Sequence, residues 1–453
     1  MKKFPVNKLV QEFASHFYLR NYSVYIVGGT IRNYLLRKGN NDYDFATDAP
    51  PKEVLKMFKT VIPTGIKHGT VTVVYKGNTF EVTTFRTEKE YIKHRRPKEV
   101  EFISSLKEDL KRRDFTINAM AVDPRDGLIL DYHGGLKDLK ERTIRAIGVP
   151  QQRFEEDALR ILRGCRFASQ LNFKIEEQTM AAMTNTSKNL KAVSSERVRD
   201  EFLKIIESLK PSVGLLAMKE CSALATLLPE LLLGENVQQK GSHERDVFTH
   251  NLAACDAVKE DKPLIRIAAL FHDIGKPVVK AKDNENSVTF YRHEQVSTEM
   301  AKEILERLKF SNADKYIILN LIANHMFKYD ETATDGAIRR FINRVGYENI
   351  DDLFTLRVAD RMATNNTLYS DDLVQLKERI EEVLEKSNAL SIKDLDIDGN
   401  RLAALGIPKG PQMGLVLNYL LESVLDDPKQ NEGALLEKIG LNYFKNYLFG
   451  NSI

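Results

Sequence analysis

The sequence predicts an α+β head followed by an elongated all-α body. Three observations carry the prediction. Short β-rich runs and turn residues crowd the first 150 positions. Beyond them helical periods dominate, and Pro and Gly mostly mark boundaries. At 453 residues the chain has room for about three domains of roughly 150 residues each.

Leu9, Val10, Phe13 and Phe17 have helical spacing and predict an opening amphipathic helix. Val24–Val27 reads as a buried strand ending at Gly28-Gly29. A second helix follows, then a strand over Asp42–Phe45. Thr70–Tyr75 and Thr79–Phe85, split by Lys76-Gly77-Asn78, predict a hairpin. Residues 86–113 are highly charged and weakly periodic and read as a mobile segment. Long helical blocks follow, with junctions near 228–246 and 394–414.

Composition narrows the function class. With 42% apolar and 29% charged residues, the chain is an ordinary folding sequence. Lys and Arg outnumber Asp and Glu by 67 to 64, so nucleic-acid binding needs local basic patches. Cys165, Cys221 and Cys255 show no metal-like spacing and read as reduced. The N-terminus lacks the apolar run of a signal peptide, and no stretch approaches the roughly 20 apolar residues of a membrane span. A cytoplasmic protein is expected.

Residues 27–47, VGGTIRNYLLRKGNNDYDFAT, carry the first chemistry. Alternate residues of a strand share a face, so Asp42 and Asp44 project together. Such a pair can hold divalent cations that clamp a triphosphate. Gly28 and Gly29 let backbone N–H groups approach phosphate, with Arg32 beside them. Glu81, on the second hairpin arm, is the candidate third carboxylate. A bare DxD is a weak signal, but this order of elements resembles the polymerase-β-type nucleotidyltransferase core.

The resemblance lengthens downstream, through RRDFTINAMA (112–121), DYHGGLKDLKERTIRAIG (131–148), RFEEDALRILRGCRF (153–167) and SSERVRDEFLKI (194–205). Together these resemble the class II tRNA nucleotidyltransferase and bacterial poly(A) polymerase family over roughly residues 20–205. Two positions depart from the family pattern. Asn33 stands where Asp usually follows the Arg, and Lys93 where Asp is frequent. The resemblance implies Mg²⁺ at Asp42 and Asp44, with CTP and ATP as substrates at the tRNA 3′ end. Arg113 and Asp114 match a motif that binds nucleotide sugar and phosphate.

Asp157 and Arg160 fall on a predicted helix three apart, hence on one face. Cytosine and adenine both present an amino donor beside a ring-nitrogen acceptor, and uracil and guanine present the reverse. A carboxylate beside a guanidinium suits C and A and leaves the wrong base unpaired. The family resemblance implies a protein template at these two residues. Arg163 and Arg166 continue the stripe, toward triphosphate or toward acidic neighbours. Basic runs containing Arg95 and Arg96, and Lys111 and Arg112, are candidates for gripping RNA.

A second constellation occupies the body. Five of nine histidines fall between 243 and 325. His250, His272-Asp273 in AALFHDIGKP, His293, His325 and Asp360 in RVADRMA resemble the HD metal-dependent phosphohydrolase superfamily. That resemblance implies His250, His272, Asp273 and Asp360 as core ligands and His293 and His325 as binuclear extras. The ion would be Mg²⁺ or a divalent transition metal, and the chemistry phosphomonoester or cyclic-phosphodiester hydrolysis.

The expected division is a nucleotidyltransferase head over 1–150, a helical neck over 151–235, an HD domain over 236–370 and a helical tail over 371–453. The expected activity is CCA addition to tRNA from CTP and ATP without a nucleic-acid template. Rival readings are poly(A) addition, CC-only or A-only addition, RNA-end phosphohydrolysis, and RNA binding without catalysis.

Overall fold

Apolar residues at helical spacing form α1 (Lys8–Tyr18), whose N-cap Asn7 accepts from the Val10 amide at 2.8 Å. The computed structural model describes residues 3–39, 42–92, 96–239, 245–282, 288–365, 371–386 and 391–449. They divide into two compact units, 1–233 with 304–310 and 234–303 with 311–453.

In the first unit, β1 (Val24–Val27) runs into α2 (Gly29–Leu35), and β2 (Asp44–Thr47) returns antiparallel to β1. Then come α3 (Pro51–Met57), β3 (Thr60–Gly65), β4 (Thr70–Tyr75) and β5 (Asn78–Thr84). With β8 (Met120–Val122) and β9 (Ile129–Asp131), they make one seven-stranded sheet ordered β3-β4-β5-β2-β1-β8-β9. All pairings are antiparallel except β2 with β5, where Asp44 lies opposite Glu81.

The period of two along β2 separates chemistry from core. Phe45 faces α1 and joins a ring cluster around Phe13, whose centroid lies within 5.6 Å of those of Phe17, Phe45, Phe58, Tyr75 and Phe80. Ala46, two residues from Asp44, packs on the opposite side with Val27, Phe85, Leu106 and Leu110.

Residues 86–113 differ from expectation. They form an antiparallel ribbon of β6 (Arg86–Ile92) and β7 (Arg96–Phe102), then α4 (Leu106–Lys111). Leu106, Asp109 and Leu110 are buried, so three inward residues on one helix face suffice where a charged composition hides the period. After α5 (Gly135–Lys140) the chain turns helical, through α6 (Pro150–Glu156), α7 (Leu159–Leu171), α8 (Glu177–Thr186) and α9 (Ser195–Ile206).

In the second unit, the helices Val247–Ala257 and Ile350–Asn365, the start of the helix His293–Arg307 and the residues just after the helices Pro263–Phe271 and Asn312–Asn324 bring polar positions to one centre. A separate apolar cluster, with Leu402, Val416, Leu420 and Leu436 fully buried, closes the C-terminal helices.

Phe13→Ala removes the hub of the aromatic cluster. It should destabilise the first unit by about 3–5 kcal/mol in urea unfolding followed by circular dichroism. A loss below about 1 kcal/mol would show that the ring is not the keystone.

Candidate functional site

Sheet register builds the first site. Asp44 and Glu81 lie side by side on parallel strands. The strand expected over Asp42–Phe45 starts later than predicted: β2 begins at Asp44, so Asp42 lies in the preceding loop and no strand pleat sets it on the face of Asp44. The three carboxylates do not draw together within 4.8 Å of one another. Asp44 is open to solvent by area yet surrounded by protein mass; that desolvation, with Glu81 and Asp42 against the pull of Arg113, raises its carboxyl to about 6. Mutually repelling acids of this kind fit a divalent cation, which would replace the repulsion by coordination. Gly28 sits at φ +80°, and a Cβ there would lie 3.3 Å from Asp44 Oδ2. Only glycine suits both that backbone and that approach.

Asp44 and Glu81, but not Asp42, line a cleft of about 580 Å³ whose lining is dominated by arginine. The Arg32 Nη1 donates to Asn118 Oδ1 at 2.6 Å, while its Nε and Nη2 donate to Asn33 Oδ1 at 3.1 and 3.0 Å. Asn33 therefore orients Arg32 as a neutral acceptor. Burial, with Arg166 and Arg163 nearby, pushes Arg32 down to about 10 despite Asp114. The guanidinium carbons of Arg32, Arg163 and Arg166 lie 5.1, 5.6 and 4.5 Å from the Phe167 ring centroid. Burial alone would raise Asp114, but Arg163 donating at 2.7 Å and the Phe115 amide at 2.8 Å hold it near 2. Arg166 pairs with Glu201 of α9 at 3.0 Å. Arg163 and Arg166 thus have acidic neighbours and line the cleft as well.

Asp157 and Arg160 both line the cleft, but not as expected. Asp157 lies outside any helix: α6 ends at Glu156, Asp157 is extended at φ −140° and ψ 103°, and α7 begins at Leu159. Its own side chain breaks the helix, because Asp157 Oδ1 accepts from the Leu159 amide at 3.1 Å. Their side chains do not pair with each other, although the Arg160 amide donates to the Asp157 carbonyl at 3.0 Å. Arg160 donates to Glu156 Oε2 at 2.6 Å and to the Arg112 carbonyl at 3.2 Å, while Asp157 Oδ2 accepts from Arg197 at 2.8 Å.

Arg112 and Arg113 are braced by the fully buried Asp109, at 2.8 and 3.4 Å, and line the cleft. Lys111 is exposed, outside the cleft lining, and pairs with Glu108 at 3.5 Å. Arg95 lies outside the described residues, and Arg96 is described only as the first residue of β7. Sequence reasoning missed Asp109, Asn118, Phe167 and Arg197. Arg197 and Glu201 stood four apart inside SSERVRDEFLKI, and that spacing was the available signal.

The second site lies in the other unit. His250, His272, Asp273, His293, His325 and Asp360 converge. Asp273 Oδ2 lies 3.2 Å from His272 Nε2 and 3.5 Å from His250 Nε2, and Asp360 Oδ1 lies 3.1 Å from His250 Nε2. Asp273 Oδ1 faces the other pair, 3.1 Å from His293 Nε2 and 3.7 Å from His325 Nε2. The Nδ1 atoms of His272, His293 and His325 lie 2.8, 2.9 and 2.7 Å from the carbonyls of Ala269, Phe290 and Ile322. An Nδ1–H donating there turns each Nε2 lone pair inward. Both Asp273 oxygens are buried without a well-formed hydrogen bond, and Lys276 Nζ lies 2.5 Å from Oδ2, so a cation on that side would compete with the ammonium. Burial opposes charge on His272, while Asp273 and Asp360 push its imidazole up to about 10. The adjoining cleft of about 630 Å³ is lined by Lys276, Arg292, Arg357 and Arg361, of which Lys276 pairs with Asp273, Arg357 with Asp360 and Arg361 with Asp372.

A carboxylate set on a mixed sheet facing an arginine cleft defines a nucleotidyltransferase. Family models match in chain order: the poly A polymerase head domain over residues 24–145, the probable RNA and SrmB-binding site of polymerase A over 172–233, and the HD domain over 241–365. The CCA-adding enzyme of Lactobacillus johnsonii is 35% identical over 424 residues, 93% of this chain and 94% of that one. That of Enterococcus faecalis is 51% identical over 196 residues, 43% and 48% of the two chains. The crystal structure of the Bacillus stearothermophilus CCA-adding enzyme in complex with CTP matches with a TM-score of 0.71 at 25% identity, covering all of both chains. The chain belongs to the family of CCA-adding enzymes.

The raised Asp44 carboxyl makes a signed prediction. Its folded value lies above the unfolded one, so its contribution to stability is lost as pH rises through about 6. In metal-free protein, Asp44→Asn should therefore melt higher than the parent at pH 8 and equal to it at pH 4. Calorimetry showing no difference at pH 8 would remove the crowding argument.

Proposed function

We propose that this chain is a tRNA nucleotidyltransferase that adds C, C and A to the tRNA 3′ end from CTP and ATP without a nucleic-acid template. The observation that carries the reading is the single cleft joining the Asp44 and Glu81 carboxylates to Asp157, Arg160 and the phosphate-binding arginines. Relatives named CCA-adding enzymes along nearly the whole chain favour this over poly(A), CC-only or A-only addition. The assigned parts are the head over 1–150, the neck over 151–235, the HD domain over 236–370 and the tail over 371–453.

In this reading Asp42 and Asp44 would hold Mg²⁺, with Glu81 as the third carboxylate beside them; the ion would supply charge neutralisation at the reacting phosphate. Gly28, Gly29, Arg32, Arg113, Asp114, Arg163 and Arg166 form the nucleotide cradle, in which the arginines take the triphosphate through paired N–H donors. Asp157 accepts from the amino group of C or A, and Arg160 donates to the ring nitrogen. The 3′-hydroxyl loses its proton and attacks the α-phosphate in line. The bond to the β-phosphate breaks and pyrophosphate leaves. Arg95, Arg96, Lys111 and Arg112 are assigned to the RNA. Three buried free cysteines suit the reducing cytoplasm, where we place the reaction.

The six convergent ligands favour a second activity in the body. His250, His272, Asp273, His293, His325 and Asp360 would hold one or two divalent ions for phosphomonoester or cyclic-phosphodiester hydrolysis.

The test offers tRNA ending before C, after C and after CC with each labelled nucleotide. Full CCA followed by a stop is expected; long A-tails or a stop at CC would overturn the reading. Asp42→Ala with Asp44→Ala should abolish addition and keep phosphohydrolysis. His272→Ala with Asp273→Ala should do the reverse and lose bound divalent metal by elemental analysis.

A further inference from the structure

Asp157 occupies an unusual place for a residue that must present a carboxylate at a fixed angle. It lies in the break between α6 and α7, with extended backbone, so neither helix sets the direction of its side chain. Two contacts anchor that carboxylate. The Leu159 amide reaches Oδ1 at 3.1 Å, and the Arg197 guanidinium reaches Oδ2 at 2.8 Å. The first is local and swings with the turn. The second comes from α9, forty residues further along the chain.

Helix α9 is itself fastened to α7. Arg197 and Glu201 are four apart and share one face. Arg197 takes Asp157 just before α7, and Glu201 takes Arg166 at the middle of it at 3.0 Å. One helix face thus braces the base-reading end and the phosphate-reading end of the cleft. The signs alternate, so each α9 residue meets its complement only in this register.

We infer that Arg197 is a positioning residue for nucleotide selection: it aims the Asp157 carboxylate at the incoming base. The inference rests on the assignment of Asp157 and Arg160 as the base-reading pair. Each carboxylate oxygen has two acceptor directions. The Leu159 amide and Arg197 take one on each oxygen and leave the others for an amino donor. Without Arg197 the carboxylate turns about its own side-chain torsions. An acceptor at the wrong angle no longer rejects a base that presents a carbonyl there.

The experiment measures kcat and KM for CTP, ATP and UTP on tRNA lacking CCA, in the parent, Arg197→Met, Arg197→Lys and Asp157→Ala. Met keeps the aliphatic stem and removes the donor fork. For Arg197→Met, selection of CTP over UTP should fall by about 10- to 100-fold, the scale expected when one aligned polar contact is lost. Arg197→Lys should fall between Met and the parent, since an ammonium restores charge but not the planar fork. A purely structural role would instead lower the melting temperature and leave the CTP/UTP ratio unchanged.

If Asp157→Ala relaxes selection and Arg197→Met does not, Arg197 is overturned while the base-reading assignment stands. If Asp157→Ala itself leaves selection at the parental value, that assignment falls and the role of Arg197 with it. Should Arg197→Met fail to fold, Arg197→Lys decides, and parental selectivity in that variant overturns the proposal.

Discussion

The parallel pairing of β2 with β5 is the constraint from which the rest of the head follows. It alone sets Asp44 beside Glu81, two chain segments that a hairpin meander would have kept apart. The same register sends Phe45 the opposite way, into rings packed around Phe13. The strand pair therefore sets Asp44 beside Glu81 on one face, and β2 is clamped by aromatic burial on the other. The electrostatic cost at Asp44 is tolerable because apolar contacts secure the backbone that imposes it.

The arginines pose the opposite problem. Like-charged guanidinium groups crowd a partly dry cleft, and Arg32 is pushed downward as a result. The structure meets this in two ways. Asp109, Asp114 and Glu201 each take one or two arginines, in ion pairs whose acid is almost fully buried. Phe167 offers its ring to three more contacts without adding charge. The cleft's donors are thus already oriented, so little ordering would remain for an anion that enters it.

In the body the economy differs. Ligands from five helical segments meet through a single carboxylate, Asp273, whose two oxygens face two histidine sets. Backbone carbonyls fix the ring orientation of three histidines, so the donor set is arranged by main chain rather than by further side chains. The two centres share no ligand and lie in separate compact units.

Local pattern was enough for much of this. The glycine turn, Asp44 at the head of a strand and the hairpin carrying Glu81 were legible, because each depends on strand or turn chemistry within a few residues; Asp42 was misplaced on that strand. Residues 86–113 were not, since dense charge masked the three inward positions of α4. Asp157 was misplaced on a helix because propensity cannot foresee that one side chain will cap the turn after its own. By itself the sequence determined which residue types could do chemistry and on which strands and helices most of them sit. Only the tertiary structure decided which charge meets which. It moved Asp157 from Arg160 to Arg197 and gave Arg160 to Glu156, because partners forty residues apart are chosen by the packing of helices and not by spacing along one of them.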